Sequence, residues 1–158
     1  MGDPNLELTR NTGKTADNPT LMNSVSTILS PAGPAEISEA KINISNLRLR
    51  TYIGFNPEEK TKQQGVIVNA EIWYRADLAC ASDDAADALN YKNITKRMIQ
   101  HIENGRFQLL EKLTAELLAI ASAAQQVSYA EVRVDKPHAL RFADSVSVTL
   151  SAHRRRAD

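Results

Sequence analysis

The stretch Ala40–Ile53, AKINISNLRLRTYI, decides the fold of this chain. Apolar residues recur at alternate positions up to Ile44 and again from Leu47 onward, which is the period of a half-buried β-strand. Because the parity of this alternation switches between those two residues, the pattern predicts a β-bulge near Ser45-Asn46. We therefore expect one long, bulged strand at the start of a sheet.

Three later segments alternate in the same way and predict three more strands. Their apolar faces consist of Val66, Val68, Ala70, Ile72 and Tyr74, of Ala130, Val132 and Val134, and of Val146, Val148 and Leu150. The opposite face of the sheet is polar and carries Asn43, Asn69, Glu71, Glu131, Arg133, Ser147 and Thr149. Such a face is either solvated or lines a wide barrel formed by several subunits. The exposed edges of a lone sheet favour the barrel.

Two helices are predicted between the second and third strands. Asn93 is the expected N-cap of the first helix, and Asn104-Gly105 is expected to end it with left-handed backbone angles. The second helix is expected to run from about Phe107 to Ala124. The two apolar stripes are Ile94, Met98, Ile99 and Ile102, and Leu110, Leu113, Leu117 and Ile120. The order strand-strand-helix-helix-strand-strand predicts an α+β fold with both helices on one sheet face.

Composition excludes several classes of protein. The chain has 158 residues, with 19 Lys and Arg against 19 Asp and Glu, so no net field favours nucleic acid or an anionic membrane. A single cysteine, Cys80, cannot form a disulfide within the chain, and a reducing cytosol is the expected compartment. No apolar run approaches the roughly 18 residues needed to span a bilayer, and no signal peptide is recognisable. We expect a cytoplasmic protein.

The sequence divides into three parts. Residues 1–38 are rich in Asn, Thr, Ser, Pro and Gly, and are expected to form a disordered or extended segment with a hinge or linker at Ser30–Pro34. Residues 39–154 carry all the periodic segments and form the expected folded domain. Residues 155–158 form a short basic tail, which is more typical of a solvated end than of a binding patch.

Two short segments place charged side chains where an apolar element meets a loop. They are Leu109–Leu113, LLEKL, and Asp135–Arg141, DKPHALR. A carboxylate at a helix start, here Glu111, can accept two parallel N–H donors from a flat heterocycle. A lysine at a strand end, here Lys136, can relay a proton. Together they predict acid–base chemistry on a small nitrogen heterocycle. No metal is expected, since His101, His138 and His153 show no metal-ligand spacing.

Each of these residues also has a simpler interpretation. Glu111 can serve only to stabilise the positive end of its helix, and Glu58-Glu59-Lys60 can be an ordinary solvated loop. Lys136 can terminate its strand before Pro137, and Tyr91 can cover an edge of the core. Taken alone, the residues favour these interpretations for the two glutamate segments.

Four segments together resemble the dihydroneopterin aldolase/epimerase family. They are LRLRTYIG at residues 47–54, ALNY at 88–91, LLEKL at 109–113 and DKPHALR at 135–141. The resemblance covers roughly residues 40–153, in order and with similar spacing, and residues before Ala40 have no counterpart in the family pattern. It implies the tunnelling fold, in which four subunits complete a β-barrel and two barrels stack as a homo-octamer. It also implies pterin sites between subunits, with no metal, nicotinamide or Schiff base.

The resemblance also implies roles for individual residues. Glu111 would bind the 2-amino and N3–H edge of the pterin, and the backbone at Leu110 and Leu89 would help to seat the ring. Tyr91 would come from the neighbouring subunit, lie against the ring face and belong to the catalytic set. Glu59 and Lys136 match the acid–base positions of the family.

Four basic residues are candidates for binding phosphate. They are His138, Arg141, Arg48 and Arg50. Ion pairs that line a barrel explain the arginines nearly as well, so both interpretations remain open at this point.

The chemistry implied by the resemblance is a retro-aldol and aldol sequence without a cofactor. It would make the chain an isomerase that inverts C2′ of 7,8-dihydroneopterin triphosphate to give dihydromonapterin triphosphate, in pterin and folate-type metabolism. The alternative is an aldolase (lyase) that releases glycolaldehyde and 6-hydroxymethyl-7,8-dihydropterin from dihydroneopterin, and this can also be a side activity. A non-catalytic barrel is a third hypothesis, and the joint presence of Glu59, Tyr91, Glu111 and Lys136 argues against it.

Overall fold

A computed structural model describes residues 27–30 and 33–155 of the chain. It contains seven strands and three α-helices in these residues. In chain order they are β1 (Thr27–Ser30), β2 (Gly33–Glu36), β3 (Ala40–Ile53), β4 (Gln64–Tyr74), α1 (Asp77–Ser82), α2 (Tyr91–Glu103), β5 (Arg106–Phe107), α3 (Leu110–Ala121), β6 (Val127–Pro137) and β7 (Ser145–His153). Short 3₁₀ turns occupy Pro57–Lys60 and Ala85–Asp87.

Five of these strands form one sheet in the order β5-β3-β4-β6-β7. Neighbouring strands are antiparallel except for β5, which pairs in parallel with the end of β3. The predicted bulge is confirmed, because the β3–β4 register shifts between Ile44 and Leu47. Asn46 adopts a positive φ of 53° there, and its N–H donates to the Asn69 side chain at 2.9 Å. The predicted α+β order is therefore confirmed, with β5 and α1 as additions.

The core lies between one face of the sheet and the helices α2 and α3. Its buried apolar side chains include Val66, Val68, Ile72, Met98, Ile102, Leu113, Leu117, Val132 and Val134. Each such side chain contributes about 1.5–3 kcal/mol through burial. Thr51 is a buried polar residue at the edge of this core, and its hydroxyl donates to the Ile102 carbonyl at 2.6 Å. This bond joins the end of α2 to β3.

Both predicted ends of the first helix need correction. The N-cap is Asn90 rather than Asn93, because the Asn90 side chain accepts the Asn93 N–H at 2.9 Å. At the other end Asn104 has right-handed angles, with φ −93° and ψ −2°, instead of the expected left-handed ones. Gly105 is required there by close packing, since a Cβ at this position would lie 2.3 Å from the Phe107 ring.

The predicted start of the second helix is also wrong. Phe107 belongs to β5, where it pairs with Ile53, and its carbonyl accepts the Gly54 N–H at 2.9 Å. Because this strand pairing occupies the Phe107 backbone, α3 begins only at Leu110. Since β5 leads directly into α3, its pairing with β3 places the first turn of α3 beside the end of β3.

The N-terminal part of the described chain contains a hairpin that its composition did not predict. β1 and β2 pair as antiparallel strands, with Ser30 opposite Gly33. Residues 1–26, 31–32 and 156–158 lie outside the described residues, so the proposed domain boundaries stay a prediction. Within the described part, no helix has both the length and the apolar character needed to cross a bilayer.

Candidate active site

One end of the sheet gathers the candidate catalytic residues. Because β3 and β6 run antiparallel to β4, the end of β3, the start of β4 and the end of β6 meet there. β5 also ends there and leads into α3. The loop at residues 54–63 follows β3, and Lys136 lies at the end of β6. Residues that are far apart in the chain are therefore brought together at one end of the sheet.

Glu59 and Lys136 form an ion pair at this end of the sheet. Their side chains keep only 18% and 13% of their accessible surface, although 77 residues separate them in the chain. The Gln64 amide donates to the same Glu59 carboxylate at 2.9 Å and to the Ile53 carbonyl at 2.7 Å. The hydrogen bond from Lys136, followed by that from Gln64, holds the pKa of the Glu59 carboxyl below its usual value of 4.5. We call Glu59, Gln64 and Lys136 the strand-end cluster.

Gly54 makes room for this cluster. Its φ is +128°, a conformation that residues with a side chain rarely adopt. A Cβ at this position would lie 2.1 Å from the Glu59 carboxylate. The backbone of Gly54 and the carboxylate of Glu59 therefore pack in direct contact, which only glycine permits.

The predicted pterin anchor, Glu111, lies at the same sheet end. It occupies the first turn of α3, four residues after Phe107, which contacts Gly54, and one after Leu110. Its side chain is exposed, and Leu110 packs partly against the core. The carboxylate thus faces solvent at the positive end of a helix, on the β5 side of the strand-end cluster.

Tyr91 and Leu89 lie away from the strand-end cluster of their own chain. Tyr91 begins α2 and is 52% exposed, while Leu89 is buried. The other end of α2 contacts Thr51 through Ile102, and the 11 positions from Tyr91 to Ile102 span about 16 Å of helix. Within residues 27–30 and 33–155, no hydrogen bond or ion pair joins Tyr91 or Glu111 to the strand-end cluster.

The four candidate phosphate ligands separate into two groups. His138 and Arg141 are exposed in the loop that follows Lys136 and Pro137. Arg48 and Arg50 lie on the polar face of β3, opposite the face that carries the core. The Arg50 guanidinium donates to the Gln63 carbonyl at 2.8 Å. Lys136 shares the core-facing register of Val134, so the sheet separates it from both of these arginines.

A second charged cluster lies between the helices. His101 on α2 contacts Glu116 on α3 at 2.5 Å, and Lys112 contacts the same carboxylate at 3.1 Å. These three residues, which we call the helix-groove cluster, line a groove of about 800 Å³ that includes neither Glu59 nor Lys136. The His101 ring also packs against Phe107, with centroids 5.5 Å apart.

Sequence reasoning missed Gln64 and Gly54. One signal for Gln64 was available, because it stands at the core-facing register of β4, two residues before Val66 and four before Val68. A polar side chain in that register needs a partner inside the fold. No sequence pattern indicates the role of Gly54, because that role depends on the loop conformation that places the Glu59 carboxylate against it.

Comparisons with known proteins agree with this geometry. A family model described as dihydroneopterin aldolase matches residues 42–151. The dihydroneopterin triphosphate 2′-epimerase of Escherichia coli K12 is 55% identical over 123 residues, which cover 78% of this chain and 99% of that protein. The chain belongs to the dihydroneopterin aldolase family.

Other members of the dihydroneopterin aldolase family support the same assignment. The dihydroneopterin triphosphate 2′-epimerase of Pseudomonas aeruginosa is 51% identical over 115 residues, covering 73% of this chain and 94% of that protein. The crystal structure of Escherichia coli dihydroneopterin aldolase in complex with neopterin superimposes with a TM-score of 0.68 at 28% identity. That superposition covers 72% of this chain and 98% of the aldolase chain. The expected tunnelling fold of the subunit is thereby confirmed.

Proposed function

We propose that this protein is an isomerase that inverts C2′ of 7,8-dihydroneopterin triphosphate. The observation that carries the proposal is 55% identity to an epimerase over 78% of the chain, against 28% identity to a solved aldolase of similar fold. The paired Glu59 and Lys136 supply the acid–base groups that such a reaction needs.

Glu111 is the proposed anchor for the pterin ring. An exposed carboxylate at a helix start can accept the 2-amino and N3–H donors together, and a bidentate contact of this kind is strong and directional. The backbone of Leu110 precedes it and can contact the ring edge. With the ring held on the β5 side, the C6 side chain of the pterin extends toward the strand-end cluster.

Proton transfer is the proposed task of the strand-end cluster. The 2′-hydroxyl loses its proton, the C1′–C2′ bond breaks, and its electron pair enters the pterin ring while N5 takes up a proton. Re-addition of C1′ to the other face of the aldehyde inverts C2′. Escape of the aldehyde and protonation of C1′ would instead complete an aldolase reaction. The ion pair keeps a carboxylate acceptor and an ammonium donor side by side, so one proton can pass between Glu59 and Lys136.

We further propose that the site is shared between subunits of a homo-octamer. Two observations support this arrangement. In the described chain β5 pairs with β3 only at Tyr52 and Ile53, so most of one β3 edge and one edge of β7 remain open. Tyr91 also lies about a helix length from the end of α2 that contacts β3. The Tyr91 and Leu89 segment of a neighbouring subunit would then complete the pterin pocket. A cytoplasmic location stays a prediction.

The test is to incubate the purified protein with dihydroneopterin triphosphate and to separate the dephosphorylated pterins by chromatography. We expect monapterin to accumulate until it balances neopterin. Predominant 6-hydroxymethylpterin would favour the aldolase alternative. The absence of both products would contradict the proposed function.

A further inference from the structure

We propose that the loop between β6 and β7, residues 138–144, binds the triphosphate of the substrate through Arg141 and His138. This inference rests on the proposed function and specifies how the same site distinguishes a phosphorylated pterin from a free one. We call this segment the phosphate loop.

The order of the strands gives the direction of the bound substrate. Across the sheet end, the start of α3 with Glu111 follows β5, Glu59 follows β3, and Lys136 ends β6. Neighbouring strands are about 4.8 Å apart. A ligand that runs from Glu111 to Lys136 therefore crosses the sheet end from β5 toward β7. The next segment in that direction is the phosphate loop.

The distance from the reacting atoms to the loop is short. His138 is two residues beyond Lys136, which is at most about 7 Å of extended chain. The triphosphate begins at C3′, next to the C2′ centre where Lys136 acts. The phosphoryl groups would therefore leave the strand-end cluster directly beneath the phosphate loop.

The two basic side chains of the loop, His138 and Arg141, are exposed on a backbone with an unusual conformation. The His138 N–H donates to the Asp144 carbonyl at 3.1 Å and closes the base of the loop. His138 and Phe142 both have positive φ, 61° and 64°, which is uncommon for residues other than glycine. The Arg141 guanidinium lies 5.4 Å from the centroid of the fully exposed Phe142 ring.

The two basic side chains of the loop have no acidic partner among the described residues. In the part of the chain that the structure describes, Arg141 and His138 make no ion pair with a carboxylate. Asp144 lies in the same loop, and its carboxylate forms an ion pair with neither of them. An exposed guanidinium without an acidic partner is suited to the bidentate binding of phosphate oxygens.

The other cations around the site are less suited to this role. Arg106 stacks on Tyr52 at 3.8 Å and donates to the Lys60 carbonyl at 2.9 Å, which commits it to the β5 side. Arg48 and Arg50 lie across the sheet from Lys136. Lys62 lies in the loop before β4, nearer to the ring end of the proposed substrate path.

The experiment measures the affinity of the full-length protein for neopterin triphosphate and for neopterin by titration calorimetry. Arg141→Gln and His138→Gln are compared with Arg97→Gln, which removes an exposed charge from the helix groove. We expect the loop variants to bind the triphosphate roughly 10- to 100-fold more weakly, the loss typical of one charge-assisted contact, while neopterin affinity stays unchanged. Arg97→Gln should affect neither ligand.

Three results would overturn the assignment. They are equal weakening of both ligands, unchanged triphosphate affinity in both loop variants, and a selective triphosphate loss in Arg48→Gln or Lys62→Gln instead. Circular dichroism and size-exclusion chromatography establish that each variant is folded and assembled as the wild type. Because the readout is binding, a wild type that binds both pterins without converting them would contradict only the epimerase proposal.

Discussion

The strand-end cluster and the helix-groove cluster contain the same pairing of a glutamate with a lysine, in two different settings. Glu59 meets Lys136 across 77 residues of chain, in the space between strand ends. Glu116 meets Lys112 across one turn of α3 and His101 across the helix groove. The pKa of each glutamate is lowered, through Lys136 for Glu59 and chiefly through His101 for Glu116.

The difference between them lies in what surrounds the charges. Lys136 and Glu59 retain 13% and 18% of their side-chain surface, whereas Lys112 and Glu116 retain 68% and 30%. The Glu59 carboxylate accepts a hydrogen bond from Gln64 and packs against the backbone of Gly54, so it is enclosed by these neighbours as well as by Lys136. A pair that is half-solvated contributes little beyond local stability, while a confined pair can direct a proton. The lowered glutamate pKa is common to both clusters and does not distinguish them. The low solvent exposure of the Glu59–Lys136 pair does.

The largest expected difference between the two clusters is in turnover, when the lysine of each cluster is replaced by methionine. Lys136→Met should reduce turnover of dihydroneopterin triphosphate by roughly 10² to 10⁴, the usual contribution of one positioned acid or base. Lys112→Met removes an exposed i,i+4 pair and should leave turnover unchanged, with about 0.5 kcal/mol or less of stability lost. Single-turnover conversion and urea unfolding measure the two quantities.

Lys136→Arg sharpens this test. A guanidinium can keep the ion pair with Glu59, but it stays protonated at working pH and cannot exchange a proton. We therefore expect no rescue of turnover. A near wild-type rate in this variant would make Lys136 an electrostatic anchor and Glu59 the main proton-transfer group.

The same comparison shows what sequence could and could not predict. Alternation predicted the strands and the bulge before Leu47, because burial of one sheet face constrains every second residue. The cap of α2 was misplaced because Asn90 and Asn93 both precede the same apolar stripe, and only the side-chain hydrogen bond distinguishes them. The proton-relay role of Lys136 was inferred from its place at a strand end, whereas the acid–base role of Glu59 came only from the family resemblance.

What sequence could not predict depends on chain segments meeting in space. The short strand β5 forms only because Phe107 meets Ile53, and this contact shortens the predicted second helix. The contact between Gly54 and Glu59 likewise depends on how the loop returns to the strand end. Local periodicity carries no information on either contact.

An intermediate effect is expected at the glycine that accompanies each cluster. In Gly54→Ala the new Cβ would lie 2.1 Å from the Glu59 carboxylate, and the φ of +128° is strained for alanine. We expect a stability loss of about 1–3 kcal/mol from the strained backbone, with a turnover loss of at least about tenfold from the displaced carboxylate.

Gly105→Ala is the matched variant. Its Cβ would lie 2.3 Å from the Phe107 ring and 2.8 Å from the His101 carbonyl, so it should also reduce stability. Turnover per folded molecule should fall less than in Gly54→Ala, because the new Cβ meets the Phe107 ring and the His101 carbonyl rather than the Glu59 carboxylate. Equal turnover losses in the two variants would contradict the proposed role of Gly54, because they would show that its contact with the Glu59 carboxylate has no specific effect on turnover.

The smallest effect concerns acid pH. Because the pKa of Glu59 and of Glu116 is lowered in the folded protein, the folded state binds these protons more weakly than the unfolded chain. The stability that each carboxylate contributes is therefore present above the usual glutamate pKa of 4.5 and is lost as pH falls through the lower, folded value. Acid should weaken both clusters in the same direction.

Glu59→Gln and Glu116→Gln each remove one of these titrations. Each variant should unfold more easily than wild type at about pH 7, and the difference should shrink at about pH 3, where the wild-type carboxylates are increasingly protonated. The difference should stay near or below about 1 kcal/mol for Glu116→Gln, whose partners are more exposed, and should be larger for Glu59→Gln, which leaves the confined Lys136 without its carboxylate. Urea midpoints at several pH values measure them, and a difference that grows toward acid would contradict the lowered pKa values. Turnover then separates the clusters, since only Glu59→Gln should impair it at every pH where the enzyme is folded.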